Sequence, residues 1–374
     1  MRSMPHAARG MIVPEEGIRA CGGTCRRTVA PSAISHRLLG YDRAMVELEG
    51  LMPEELADIV GGTGRARTVW NVIVRGDNPF EDRDLSEHVR TRLREQARRA
   101  HLVVERRDVA RCGTTKLRYG LADGKRVETV LIPSERRTTV CVSTQAGCAR
   151  GCIFCLTATM GLERGLTPAE IVGQVTGAIR EARRRDLPPV RNVVYMGMGE
   201  PLDNLKAVEK SIAVLCSPRA LGLGPAHITL STVGTTPEAI LATRDLPVQM
   251  AWSLHAVDDG LRRKLIPTAR HSTVELRRAF MERGSSLFVE ITLMEGVNDE
   301  PHHADELAEF LNPFSAPVRV NLLPMNAGRE RLEPSSEPRA IAFRQRVRER
   351  GFFCAIRRPR GLDASAACGQ LVVG

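Results

Sequence analysis

The chain reads as an α/β protein, an open and partial parallel βα barrel preceded by a small helical accessory domain. Three observations predict this. From Val140 to Asn326, six strand-like runs alternate with helices that carry their own start signals. Ahead of them, from Met45 to Arg107, apolar residues recur at three- and four-residue spacing. Finally, 374 residues accommodate a barrel of about 200–250 residues and one smaller domain.

Residues 1–44 carry Gly, Pro, Ser and Arg without sustained periodicity and read as a loose extension. Its Cys21 and Cys25 form an isolated CxxxC, read as two thiols of a tail. In the helical domain, 45–107, the runs Met52–Val60 and Leu85–Leu93 have helical spacing. Residues 108–139 alternate as short strands about a turn at Ala122–Lys125. The barrel, 140–361, has expected strands at 140–145, 191–197, 227–233, 248–255, 286–294 and 318–324. Thr167-Pro-Ala-Glu170 and Ser272-Thr-Val-Glu275 are capping boxes, and Thr236-Pro-Glu238 opens a further helix. Six βα units are too few to close an eight-fold barrel, so the sheet is expected to stay open, with its chemistry at the carboxyl ends of the strands. Residues 362–374 form a C-terminal segment.

The formal net charge is +10, with an isoelectric point near 9.4 and arginine dominating the basic residues. The runs Arg92–Arg107 and Arg344–Arg360 suit either RNA phosphates or solvated helix faces. There is no apolar run of about 18 residues to span a membrane and no secretory h-region at the start. Ten cysteines, mostly scattered, fit a reducing cytoplasm better than a disulfide scaffold.

The chemistry concentrates in Cys148-Ala-Arg-Gly-Cys152-Ile-Phe-Cys155, a CxxxCxxC loop directly after the first barrel strand. Three thiolates on one short loop can hold three corners of a [4Fe-4S] cluster, and no fourth ligand follows at suitable spacing. The open iron can then chelate S-adenosylmethionine (SAM), which is the radical SAM signature. A closed zinc site, the alternative, normally takes four ligands in two pairs. Small polar groups recur at the other strand ends: Gly197-Met-Gly199-Glu200, Ser231-Thr-Val-Gly234, Ser253-Leu254-His255 and Asn321 through Asn326. The glycines are expected to let backbone approach a ligand, and Glu200 to accept from an ammonium group.

From Glu128 to the C-terminus the chain resembles the RlmN/Cfr family of radical SAM RNA methyltransferases. The likeness runs through Val127–Pro133, Cys141–Cys148, Gly197–Pro201, Ile228–Gly234, Ser253–Ala256, Glu295–Asp299 and Ala366–Leu371. Cys141 together with the Ala-Ala-Cys368-Gly-Gln-Leu ending marks the methyl-shuttling subgroup. The resemblance implies that Cys148, Cys152 and Cys155 ligate one cluster. It implies that Gly199, Glu200, Ser231, Ser253, Leu254, His255 and Asn326 contact SAM, two molecules being used per turnover. It further implies that Cys368 accepts a methyl group, which a 5′-deoxyadenosyl radical then activates for addition to an adenine carbon. Cys141 would resolve the adduct through a transient disulfide with Cys368, and Glu128 would accept a proton. The implied target is C2 of adenine 2503 in 23S rRNA, with adenine 37 of tRNA a second substrate. The implied partners are RNA and a reductase such as flavodoxin or ferredoxin, with the chain a cytoplasmic monomer and no membrane involved.

Departures from the family pattern bear on the target rather than the chemistry. Leu362, Ala364 and Ser365 break the usual Gly-Asp-Asp-Ile-Asp-Ala-Ala-Cys ending, only six residues follow Cys368, and Gly64–Thr68 replaces Phe-Arg-Ala-x-Gln. Competing readings are C8 methylation of the Cfr type, a non-methylating radical SAM enzyme such as a glycyl-radical activase, and a zinc-bearing RNA-binding protein. Only the methyl shuttle has a use for both Cys141 and Cys368. Cys112, Cys216 and Cys354 have no motif around them and read as packing residues.

Overall fold

The computed structural model describes residues 45–326 and 332–373; the extension with Cys21 and Cys25 lies outside them. Three helices come first: α1 (Pro53–Val60), α2 (Thr63–Val74) and α3 (Glu87–Gln96). Trp70, Ile73 and Leu93, all fully buried, cement them. The helical pattern expected as far as Arg107 stops at Gln96. Beyond it, Leu102–Val109 is a strand (β1) whose exposure alternates with the period of a half-buried sheet edge. Charges in the run 92–107 are thus shared between a helix and a strand.

β1 pairs antiparallel with β2 (Thr115–Leu121), β2 with β3 (Arg126–Pro133), and β3 with β4 (Thr138–Cys141). From β4 the sheet turns parallel through β5 (Val190–Tyr195), β6 (Ile228–Thr232), β7 (Gln249–Ser253), β8 (Leu287–Leu293), β9 (Val318–Pro324) and β10 (Phe353–Ile356). The ten strands form one open sheet in sequence order. β10, a seventh parallel strand, is absent from the sequence reading because four residues of Phe-Cys-Ala-Ile inside an arginine-rich run give little periodic signal.

Crossovers are α4 (Pro168–Arg184), α5 (Leu205–Cys216), α6 (Pro237–Ala242), the pair α7 (Asp259–Leu265) and α8 (Thr273–Arg283), α9 (Pro301–Leu311) and α10 (Glu337–Glu349). Their entries follow the sequence signals. Thr167 Oγ1 accepts from Glu170 N at 3.1 Å while the Glu170 carboxylate accepts from Thr167 N at 2.9 Å, and Ser272 and Glu275 repeat the exchange. Such reciprocal caps are worth about 1 kcal/mol each. Helices pack the sheet through residues such as Trp252 of β7, whose ring lies 4.8 Å from that of Phe280 on α8. The expected first strand, 140–145, divides: β4 ends at Cys141, and Gln145–Gly147 pairs instead with Leu162–Gly165 in a small ribbon. Gln174 of α4 holds the break, accepting from Ser143 N at 2.8 Å and donating to Ser143 O at 2.9 Å.

Candidate active site

The carboxyl ends of the parallel strands enclose a cleft of about 1010 Å³, at the upper end of the size that small-molecule sites occupy. The three loop cysteines, Gly199, Glu200, Ser231, Ser253, His255, Asn326 and Cys368 all line it. A second cavity of about 720 Å³ adjoins it, bounded by Cys141, Val130, Ile132 and the arginine strand end Arg357–Arg360. Cys368, Asn326, Met196, Leu323 and Pro324 border both chambers. Cys368 therefore stands in the partition between a chamber with the cysteine loop and one with Cys141.

Leu254 departs from its expected place. It is fully buried in the hydrophobic core and does not line the cleft.

The cysteine loop is held by its own backbone: Cys148 N donates to Gly161 O at 2.7 Å and Cys155 N to Cys152 O at 3.1 Å. Cys148 and Cys155 lie near enough to Cys152 to act on it electrostatically, and burial raises the thiol of each of Cys148 and Cys152. Among the described residues, no three His, Cys, Asp or Glu side chains converge as ligands of a single ion do. Three soft thiol donors spread around one wall of a cleft suit a multi-iron cluster, which is wider than a lone tetrahedral zinc. Arg150 of this loop forms an ion pair with Asp203, joining it to the loop after β5.

His255 adopts a left-handed backbone, φ 62°, which presents its ring to the cleft against Phe154, centroids 4.6 Å apart. Its Nδ1 accepts from Thr292 N at 3.0 Å. Burial, with Arg262 nearby, depresses its pKa to about 3, so the ring is a neutral imidazole whose Nε2 carries the proton. Ser231 and Ser253 Oγ lie 3.3 Å apart on adjacent strands.

Glu200 also ties two loops together. Its two oxygens accept from Leu202 N at 3.1 Å and Val233 N at 3.0 Å, stitching the loop after β5 to that after β6. The glycines beside it serve protein contacts too. A Cβ on Gly197 would lie 2.6 Å from Val142 O, and one on Gly199, at φ 98°, 2.6 Å from Gln145 Cβ. The close approach they permit is to the first strand segment.

After β10 the chain doubles back across the mouth of the cleft. Leu156 N donates to Gly369 O at 2.7 Å, Thr157 Oγ1 to Leu371 O at 2.6 Å, and Asn326 Nδ2 to Cys368 O at 2.8 Å. The cysteine loop and the C-terminal segment are thereby fastened together. Cys368 is solvent-accessible, while enclosure of its sulfur, then the carboxylate of Glu290 and Cys155, push the thiol up to about 11. Cys141 is buried, and burial, with Cys368 nearby, raises its thiol as well.

Glu128 belongs to this fastening. It is wholly buried on β3, two residues from Val130 and so on the same face as the wall of the second cavity. Its Oε2 accepts from Val372 N at 3.1 Å, and its Oε1 lies 3.2 Å from Lys116 Nζ and 3.6 Å from Arg118 Nε. Burial raises its pKa against the pull of Lys116. Removing one partner of a buried pair leaves the other charge uncompensated, so Glu128→Ala is expected to cost about 3–5 kcal/mol of stability. A drop in the denaturant midpoint with unchanged slope checks this.

Three residues of the site went unread in the sequence. Glu290 lies in the middle of β8 rather than at its end, yet lines the cleft. Asn321 and Arg357, on β9 and just past β10, connect to it. The available signal was a carboxylate at an inward position of the apolar run Leu287–Leu293.

Most arginines of the two basic runs are already paired: Arg94 with Glu87, Arg107 with Glu181, and Arg346 and Arg350 with Asp305. The exposed pairs among them are worth about 0–1 kcal/mol and can be exchanged for phosphates.

Comparison with known proteins decides the family. The Radical SAM superfamily model matches residues 142–310. The "Dual-specificity RNA methyltransferase RlmN" of Syntrophobacter fumaroxidans is 38% identical over 85% of this chain and 95% of its own length. The chain belongs to the RlmN family of radical SAM RNA methyltransferases. A "Probable dual-specificity RNA methyltransferase RlmN" of Gemmatimonas aurantiaca is 44% identical over 69% of this chain and 71% of that protein. The crystal structure of a radical SAM methyltransferase from Sphaerobacter thermophilus superposes with a TM-score of 0.80 at 35% identity, covering 87% of this chain and 99% of the other. The open parallel sheet is thus that of an RlmN-family enzyme. Family membership carries with it an iron–sulfur cluster, SAM and an RNA substrate. No helix among the described residues is long and apolar enough to cross a membrane.

Proposed function

We propose that this enzyme methylates C2 of an adenine, adenine 2503 of 23S rRNA and also adenine 37 of tRNA, by carrying the methyl group on Cys368. The observation that supports this best is the position of Cys368 in the wall shared by the two chambers, with the cysteine loop on one side and Cys141 on the other. Cys148, Cys152 and Cys155 are the natural ligands for one [4Fe-4S] cluster, and Gly199, Glu200, Ser231, Ser253, His255 and Asn326 line the space for SAM. Held by these three thiolates, a cluster would supply the single electron for reductive cleavage of SAM, and the 5′-deoxyadenosyl radical so formed would take a hydrogen atom from the S-methyl group.

The remaining work falls to the chain. Asn326, Leu156 and Thr157 hold the Cys368 segment still while its sulfur is first methylated and then bonded through carbon to the base. The apolar walls of Val130 and Ile132 suit a base, and Arg357–Arg360 suit its phosphates. Glu128, its pKa raised by burial, suits a proton leaving the ring carbon. Once the ring radical has also given up one electron, which the oxidised cluster would accept, the Cys141 thiolate attacks the Cys368 sulfur, forming a disulfide as the carbon leaves with the carbon–sulfur electron pair and takes up a proton to become the methyl group. An electron donor of the flavodoxin or ferredoxin class, in the cytoplasm, resets the disulfide and the cluster, and one chain holds every group required.

The radical route has a chemical reason. Adenine C2 is too electron-poor to attack a sulfonium methyl, whereas a carbon radical adds to it readily. Expression in a host lacking its own adenine C2 methyltransferase, followed by chromatography of the rRNA and tRNA hydrolysates, is expected to yield 2-methyladenosine. Finding 8-methyladenosine, or unmodified adenosine, would overturn the assignment.

A further inference from the structure

We propose that Glu290, held by an Asn321–Arg357 chain, is the proton acceptor for the Cys368 thiol when that sulfur takes its methyl group from SAM. The inference rests on the methyl-carrier reading of Cys368. Glu290 and Glu200 are the carboxylates lining the cleft, and Glu200 has a backbone N–H on each oxygen. Glu290 is held differently. Its Oε1 accepts from Asn321 Nδ2 at 2.7 Å, and Asn321 Oδ1 accepts from Arg357 Nε at 2.8 Å. The arginine fixes which way the amide faces, and the amide fixes the carboxylate. Among the described residues Asn321 is the carboxylate's hydrogen-bond partner, which leaves its second oxygen available to the cleft.

Cys368 lines the same cleft and lies within electrostatic reach of Glu290. Other charged or titratable groups around this carboxylate are Arg357 from beyond β10, His255 after β7, Cys155 of the cysteine loop, and Glu200 across the cleft. His255 is committed at Nδ1 and stays neutral, so it does not compete for the proton.

The need for an acceptor follows from the thiol's setting. Enclosure of the Cys368 sulfur beside a carboxylate disfavours its thiolate, and only the deprotonated sulfur attacks. Burial brings Glu290 up to about 7, where a general base serves best at neutral pH. In the step, the S–H bond breaks and its proton passes to Glu290. The sulfur's electron pair forms the new S–CH₃ bond, and the old methyl–sulfonium bond breaks with its pair returning to SAM sulfur, giving S-adenosylhomocysteine. Solvent takes the proton from Glu290 before the next turnover.

The test compares wild-type, Glu290→Gln and Glu290→Asp holoenzymes, reconstituted anaerobically, by peptide mass spectrometry of Cys368. Two reactions are followed: S-methylation by SAM at neutral pH, and alkylation by iodoacetamide above the thiol's own pKa. Glu290→Gln is expected to lose about 10²–10⁴-fold in methylation while alkylating at the wild-type rate or faster, since a negative neighbour has gone. Glu290→Asp, which keeps a withdrawn carboxylate, is expected to recover part of the loss and stands in if the Gln variant fails to fold. Methylation at the wild-type rate in Glu290→Gln overturns the proposal. Equal loss of methylation and alkylation overturns it too, because Cys368 itself has then moved. A wild-type protein that never carries a methyl on Cys368 refutes the carrier reading instead.

Discussion

Cys141→Ala is expected to trap the enzyme on its RNA, whereas Cys368→Ala is expected to leave the RNA untouched. Cys368 is needed before any bond to the base forms, and Cys141 only afterwards. The two thiols border one cavity from opposite elements, β4 and the C-terminal segment, so either can be removed without displacing the other's backbone. Purified Cys141→Ala should carry RNA that survives denaturation and disappears on nuclease treatment, with product formation falling to background. Cys368→Ala should show neither methylated protein nor methylated RNA, while uncoupled SAM cleavage persists. Normal turnover by Cys141→Ala, or an adduct without Cys368, removes the basis for the shuttle.

An equally large loss is expected from Cys148→Ala, Cys152→Ala or Cys155→Ala. Each takes away one of the three thiolates of a loop whose backbone is tied at Cys148 and Cys155, so another ligand cannot slide into place. Iron content after anaerobic reconstitution should fall well below the about four per chain expected of a cubane cluster, and SAM cleavage should vanish. The fold itself should survive, because the loop's anchors to Gly161, Gly369 and Leu371 are backbone groups or belong to other side chains. Full cluster loading in any one of the three would assign the iron to other ligands.

Much of this site was legible because a parallel βα sheet puts the end of every strand on one rim. The cysteine loop, the glycines before Glu200, Ser231, Ser253, His255 and Asn326 could be gathered from the sequence by that rule alone. What escaped lay off the rim. Glu290 sits in mid-strand, and in a sequence an inward carboxylate on an apolar strand looks like an outward one until the register of β8 on β7 and β9 is known. The path of the C-terminal segment, and hence the bond from Val372 to Glu128 some 244 residues away, has no local signal. Leu254, between two cleft residues and just past the end of β7, shows the converse: its side chain is buried in the core. The glycines before Glu200 pack against the Val142–Gln145 segment.

The central claim, that the methyl group reaches the base by way of Cys368 and loses a hydrogen there, is tested most directly by isotope. Holoenzyme turning over SAM labelled with a trideuterated methyl group should yield methyladenosine retaining two of the three deuteriums, because one is abstracted from the S-methyl group before the carbon joins the ring. Retention of all three deuteriums in the product would mean that the methyl group passes intact from SAM to the base, and would contradict the account.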